Sequence, residues 1–137
     1  MADITITAAN VLSSGTAFIQ GTAGATITAG QVLYKDTADS KYKLADADGA
    51  SALIQTAAGI ACNGASDGQP VNFVKLDADF TIGATVSEGV AYYLSETPGG
   101  ICPRGDVSTG SAVVYIGMGL ASNKLKLDID NTGATSL

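Results

Sequence analysis

The chain contains no histidine and no tryptophan, and it has only two cysteines and three prolines. Without histidine, the usual proton shuttle near neutral pH is missing. A Ser-His-Asp triad is excluded, and the common zinc and iron sites lose their commonest ligand. Cys62 and Cys102 stand far apart and in no metal-binding spacing. They read as buried thiols, with a disulfide left open. Basic residues are also scarce, 7 Lys and Arg against 13 Asp and Glu, for a net charge of −6. The bases occur singly or as alternating pairs, Lys41 with Lys43 and Lys124 with Lys126. So few and scattered, they do not supply the basic face that counterion-releasing binding needs, which argues against nucleic acid and anionic membranes as partners. No run of 18 apolar residues exists, so no membrane-crossing helix is expected. The first seven residues lack the basic-then-apolar order of a signal peptide, and a reducing cytosol is the expected place of synthesis.

What is abundant is small and β-forming. The 137 residues include 22 Ala, 17 Gly and 14 Thr. Leu, Ile, Val and Phe together number 32, enough for one buried core and above the level expected of a disordered chain. Length and composition predict one all-β domain with many tight turns, a small barrel or tulip-like sandwich with at most one short helix. The expected divisions are an N-terminal arm or first strand over 1–11, a single β domain over 12–130, and a loose tail over 131–137.

Period-two alternation marks the strands. It is seen in Ile4-Thr5-Ile6-Thr7, Thr16 to Gln20, Gln31 to Lys35, and Lys41 to Leu44. The Asp36–Ser40 link reads as a turn, because Asp and Ser side chains bond nearby amides. The Ala-rich stretch from Ala50 to Ala58 is the one place that admits a helical turn or two. Gly59 to Cys62 and Gln69 to Leu76, joined by a loop holding Asn63-Gly64 and Asp67-Gly68, read as a hairpin. Val71, Phe73 and Lys75 should share one face, and Pro70 should start a strand or lie on an edge. Further strands are expected at Phe80 to Ile82, Val90 to Leu94, Ile101-Cys102, Ala112 to Leu120 and Lys124 to Ile129.

The chain also repeats itself faintly. Gly24 to Tyr34 aligns with Gly83 to Tyr93, with both glycines and a tyrosine in register. Gly59-Ile60-Ala61 and Val71-Asn72-Phe73 resemble Gly117-Met118-Gly119 and Leu125-Lys126-Leu127. Two such units imply a rough internal two-fold, and two copies are too few for a solenoid.

Chemistry-bearing motifs are weak. The pairs Asp46 with Asp48, and Asp77 with Asp79, have acid–base potential but fall in polar stretches and read as solvated turn residues. Asp46-Ala47-Asp48-Gly49 lacks the third oxygen ligand and the following Glu of an EF-hand loop. The glycines between Gly15 and Gly24 match neither a P-loop nor a dinucleotide fingerprint. Tyr34, Tyr92, Tyr93 and Tyr115 read as strand residues with surface hydroxyls; stacking on sugars by Tyr92 and Tyr93 is the rival reading.

The distributed pattern resembles a known family. It comprises Asp3 to Val11, Ala25 to Tyr34, Lys41 to Asp48, Ala58 to Ala61, Asp67 to Val71, Ile82 to Val86, Tyr93-Leu94-Ser95, Gly99-Gly100-Ile101 and Leu125-Lys126-Leu127. Together these segments look like small virion proteins of tailed bacteriophages that decorate or cement the capsid. The stretch from Ala57 to Phe80 is also similar to part of the lambda-type head decoration proteins. This chain departs from them in its greater length, its lack of Trp and its duplicated unit. The resemblance implies a non-enzymatic structural protein on the capsid exterior, made in the bacterial host cytoplasm. It implies the major capsid protein as partner, homo-oligomerisation with a trimer expected, and no cofactor or metal. It also suggests a capsid-contacting arm, with Asp3, Ile4, Thr5, Ile6 and Thr7 as contact residues. A head-fibre base, a tail-associated β module and a carbohydrate-binding module are the alternatives.

Overall fold

Among the described residues, ten strands form two antiparallel sheets, and each sheet is built from one half of the chain. A computed structural model describes residues 3–15 and 18–136. The first half contributes β1 (Ile19–Thr22), β2 (Val32–Asp36), β3 (Lys41–Leu44), β4 (Gly59–Ala61) and β5 (Pro70–Val74). The second contributes β6 (Leu76–Thr81), β7 (Ala91–Leu94), β8 (Ile101–Pro103), β9 (Ala112–Ala121) and β10 (Lys124–Thr135). The first sheet has the order β1-β5-β4-β2-β3 and the second β6-β10-β9-β7-β8. Adding five to each strand number of the first gives the second, so the two halves share one topology. The protein is all-β, and its two five-stranded sheets form a sandwich.

The equivalence reaches individual bonds. Leu33 faces Leu44 across β2 and β3, and 59 residues on Tyr92 faces Pro103 across β7 and β8. Ala23 N–H donates to Gln69 C=O (2.8 Å), as Ile82 N–H does to Asn123 C=O (3.0 Å). Ile27 N–H to Ala65 C=O (2.8 Å) is matched by Val86 N–H to Ser122 C=O (2.9 Å). Even the backbone strain recurs. Ser40 takes a positive φ of 60° in the turn before β3, and 59 residues later Gly99 takes 76° before β8. Glycine removes the Cβ clash that serine must bear there.

The largest buried cluster joins both sheets, with Val32, Tyr34, Ile60 and Val74 from the first and Phe80, Leu94, Ile116 and Leu127 from the second. A second cluster, including Ile27, Leu33, Val71 and Phe73, occupies the other face of the first sheet. Val32, Leu33 and Tyr34 are therefore all buried in succession, since β2 is covered on both sides. The Tyr42 ring tilts against Phe73 at 4.6 Å between centroids. The Asp36–Ser40 turn forms as its residues dictate, with Ala38 N–H donating to Asp36 Oδ1 (2.9 Å) and Lys41 N–H to Asp39 Oδ1 (3.0 Å).

Several expectations need correction. Ala50 to Ala58 forms turns, with one bond of helical spacing, Gln55 N–H to Ser51 C=O (3.3 Å), and no helix. The Gln55 side chain bonds back to Gly49 C=O (2.8 Å) and helps close the loop on itself. The helical content among the described residues is two single 3-10 turns, Ala8–Asn10 and Arg104–Asp106. Lys75 does not share the buried face of Val71 and Phe73, because the chain crosses between sheets there and Lys75 is exposed. The tail expected to be loose from Asn131 is strand as far as Thr135, paired through Asn131 with Val114 and Thr135 with Ala112. Ser136 beyond it is buried and exchanges backbone bonds with Gly110 and Ser111. Of the strand expected over Thr16 to Gln20, residues 16 and 17 lie outside the described residues, and β1 starts at Ile19. Pro70 is the first residue of β5, where its missing N–H costs no ladder bond.

Candidate interaction surface

The five arm residues act together, but against their own chain. Ile4 and Ile6 are half-buried on the main core, and the alternating Thr5 and Thr7 are exposed. This is the alternation read from the sequence, although the segment belongs to no sheet ladder. Ile4 N–H donates to Ile101 C=O (2.9 Å) and Thr7 N–H to Gly83 C=O (2.8 Å). The Asp3 carboxylate stands over Gly100. The chain then turns through Ala8–Asn10, and Leu12 exchanges both backbone bonds with Thr81 on the outer edge of β6 (2.9 Å each). Ser14 completes the belt: its N–H (2.9 Å) and its hydroxyl both donate to the Asp77 carboxylate.

Asp77 corrects the reading of the second acidic pair. It is 1% exposed within β6, not in a solvated loop. Burial opposes its ionisation, but the Ser14 hydroxyl and N–H and the Asp79 N–H outweigh that and hold its carboxyl below the usual range. Asp46 goes the other way. Burial, reinforced by the hydrogen bond to Asp48 and by the charges of Asp48 and Glu96, raises it to about 6. Among the described residues, no three His, Cys, Asp or Glu side chains are placed to hold a metal ion.

The tyrosines separate. Tyr92 is buried, and its hydroxyl accepts the Ser87 N–H (2.8 Å), so it cannot stack on a sugar. Tyr93 and Tyr115 meet edge to face at 5.7 Å, with the Arg104 guanidinium 5.6 Å from the Tyr93 ring centre. That arrangement uses the Tyr93 face for a cation and offers no pair of coplanar rings. Burial lifts the thiols of Cys62 and Cys102 to about 11 and about 12, and both are free.

Two surface features escaped the sequence reading. Leu12, Phe18, Ile19 and Leu76 are large apolar residues exposed by 67, 51, 47 and 62%. Three of them lie at the edges of the two sheets: Ile19 opens β1 opposite Phe73, Leu76 opens β6, and Leu12 pairs with the last residue of β6, while Phe18 immediately precedes β1. Nothing in a lone Leu or Phe marks it as exposed, and only the strand order puts these at edges. The second feature is an open groove of about 670 Å³ beside the arm, lined by Thr7, Asn10, Thr81, Thr85, Ser122 and Asn123, with no charged residue.

Compared with protein-family models and with curated proteins, the chain matches none.

Proposed function

We propose that this chain is a structural virion protein of a tailed bacteriophage, binding the outer surface of the capsid and stabilising it without catalysis. Its partners are the major capsid protein and other copies of itself, with a trimer as the oligomer. The observation that carries the reading is the exposure of four large apolar side chains, Leu12, Phe18, Ile19 and Leu76, at or next to the edge strands β1 and β6. Edge strands bearing large apolar groups are a liability in a free protein and an asset in one that spends its life against a surface. The sequence resemblance supplies the kind of surface. Within the arm, Thr5 and Thr7 face outward and are the contact residues; Ile4 and Ile6 serve the chain's own core. A protein held at many shell sites stabilises the shell by mass action and by tying subunits together.

Quantitative mass spectrometry of purified virions tests this. A copy number near that of the major capsid protein is expected. A few to a few dozen copies would instead make the chain a fibre or tail component, and its absence from particles would overturn the reading.

A further inference from the structure

The two halves, alike in topology, close in different ways. In the first, the residues following β1 meet β3 directly. Gly24 N–H donates to Tyr42 C=O (2.8 Å), Ala23 and Tyr42 form a parallel bridge, and the stems of Lys41 and Lys43 cover Gly24. The residues 59 positions on are Gly83 and Ile101. Each accepts its bond from the arm instead: Gly83 C=O from Thr7 N–H, and Ile101 C=O from Ile4 N–H. The arm therefore lies between two edges that touch each other in the first half.

The fit is close at three glycines. A Cβ at Gly30 would collide with the Ile6 side chain, at Gly83 with the Thr7 carbonyl, and at Gly100 with the Asp3 carboxylate. The seam is thus shaped for one extended segment with isoleucine at alternate positions and a carboxylate before the first. Between the seam and the Leu12 and Ser14 anchors, the chain passes through Ala8, Ala9 and Asn10. These are small, exposed residues held by two turn bonds, Asn10 N–H to Thr7 C=O and Val11 N–H to Ala8 C=O.

We infer that the seam between β8 and Gly83 is a strand-acceptor site occupied in the isolated chain by its own arm, and that the arm of a second copy takes the same place. The occupant follows from complementarity: each copy carries the segment already seen to fit, on a link that can straighten through 8–11. Exchange keeps the two backbone bonds and the burial of both isoleucines, so the swapped and closed forms differ mainly in the link and in association entropy. The tethered arm competes at an effective concentration on the order of millimolar. Exchange therefore emerges when copies are crowded side by side. The inference stands on the seam alone and does not depend on the capsid reading.

The test uses the unaltered full chain, tagged and untagged, mixed at ~1 mM to rival the tether, warmed below unfolding, then diluted and captured by the tag. Untagged chain should co-purify in whole-number oligomers by native mass spectrometry. A tenfold excess of a synthetic peptide of residues 3–11 during warming should lower the yield severalfold. The same peptide with Ile4→Asp and Ile6→Asp should leave it unchanged. No co-purification, with or without peptide binding, would overturn exchange between copies. So would an oligomer indifferent to the wild-type peptide, which must be using another surface. Because the competitor is a peptide, no misfolded variant can imitate either result.

Discussion

Asn131 grips the backbone of Ala57 from both sides, its Oδ1 accepting the Ala57 N–H (2.8 Å) and its Nδ2 donating to the Ala57 C=O (2.9 Å). One side chain on β10 thereby replaces a strand partner for the loop that leads into β4, and joins the two halves. Asn131→Ala leaves a part-buried donor and acceptor without partners and should cost about 1–3 kcal/mol. A lowered urea midpoint at unchanged slope is the expected readout. Asn131→Asp keeps the acceptor and loses the donor, so it should also destabilise. A midpoint unmoved by either change would mean that water replaces the grip without loss.

The Ser14–Asp77 contact gives stability with a defined pH dependence. The Asp77 carboxyl is held below its ordinary value, so its contribution is fully present above the unfolded value of about 4 and is lost as pH falls through the lower native one. Asp77→Asn should remove about 1.5–3 kcal/mol at pH 7, as expected for hydrogen bonds to a charged group, and progressively less in acid. Denaturation midpoints from pH 7 down to pH 2 measure it. A deficit independent of pH would show that packing, not charge, is what the carboxylate provides.

Asp46 should produce the opposite slope. Its native value of about 6 lies above the unfolded one, so the folded form binds an extra proton between about pH 6 and pH 4. Stability from this group is therefore gained as pH falls through 6 and is absent at pH 7. Asp46→Asn, which retains an acceptor for the Asp48 N–H, should stabilise the chain at pH 7 by about 1 kcal/mol or less, the group being partly solvated. At pH 4 the variant and the parent should converge. An NMR titration of Asp46 with a midpoint near 4 would refute this.

The thiols predict a reactivity pattern. The thiolate is the reactive form, and burial keeps Cys62 and Cys102 protonated to about pH 11 and 12. Iodoacetamide at pH 8 should leave the native chain unmodified over minutes and label two sites in urea. Cys62, the less buried, should react first as the fold loosens. Rapid labelling of native Cys102 would mean that β8 opens readily.

Much of this architecture was legible because alternation and repetition are local signals. Ile4 to Thr7, Gln31 to Lys35 and Lys41 to Leu44 each state which side chains point together, and the offset of 59 foretold the shared topology. Partners were another matter. The Ile4–Thr7 pattern says that two isoleucines need covering, but not that Gly30, far along the chain, would lie against Ile6 or that Gly83 would meet the Thr7 carbonyl. Asp77 looks like any turn aspartate until Ser14 is brought to it from 63 residues away. The run through Lys75 reads as one strand because its alternation continues across the step between sheets. The tail reads as loose because small polar residues pair as well as fray, and only β9 alongside decides which.

Two halves with one topology in one chain pose a problem of mistaken identity during folding. Every strand of the first half has a decoy in the second, and a neighbouring molecule supplies still more, so a strand can pair in the wrong half or in the wrong chain. The hairpin of β9 and β10 distinguishes them. Its strands run 10 and 12 residues against 3 and 5 for β4 and β5. A strand as short as β4 cannot satisfy the backbone of β10, and most of a long ladder would be left unpaired in the wrong half. Unequal length thus works as a key that like-ordered strands would otherwise lack. Trimming β10 to the length of β5 should raise the fraction of misassembled chains recovered on refolding.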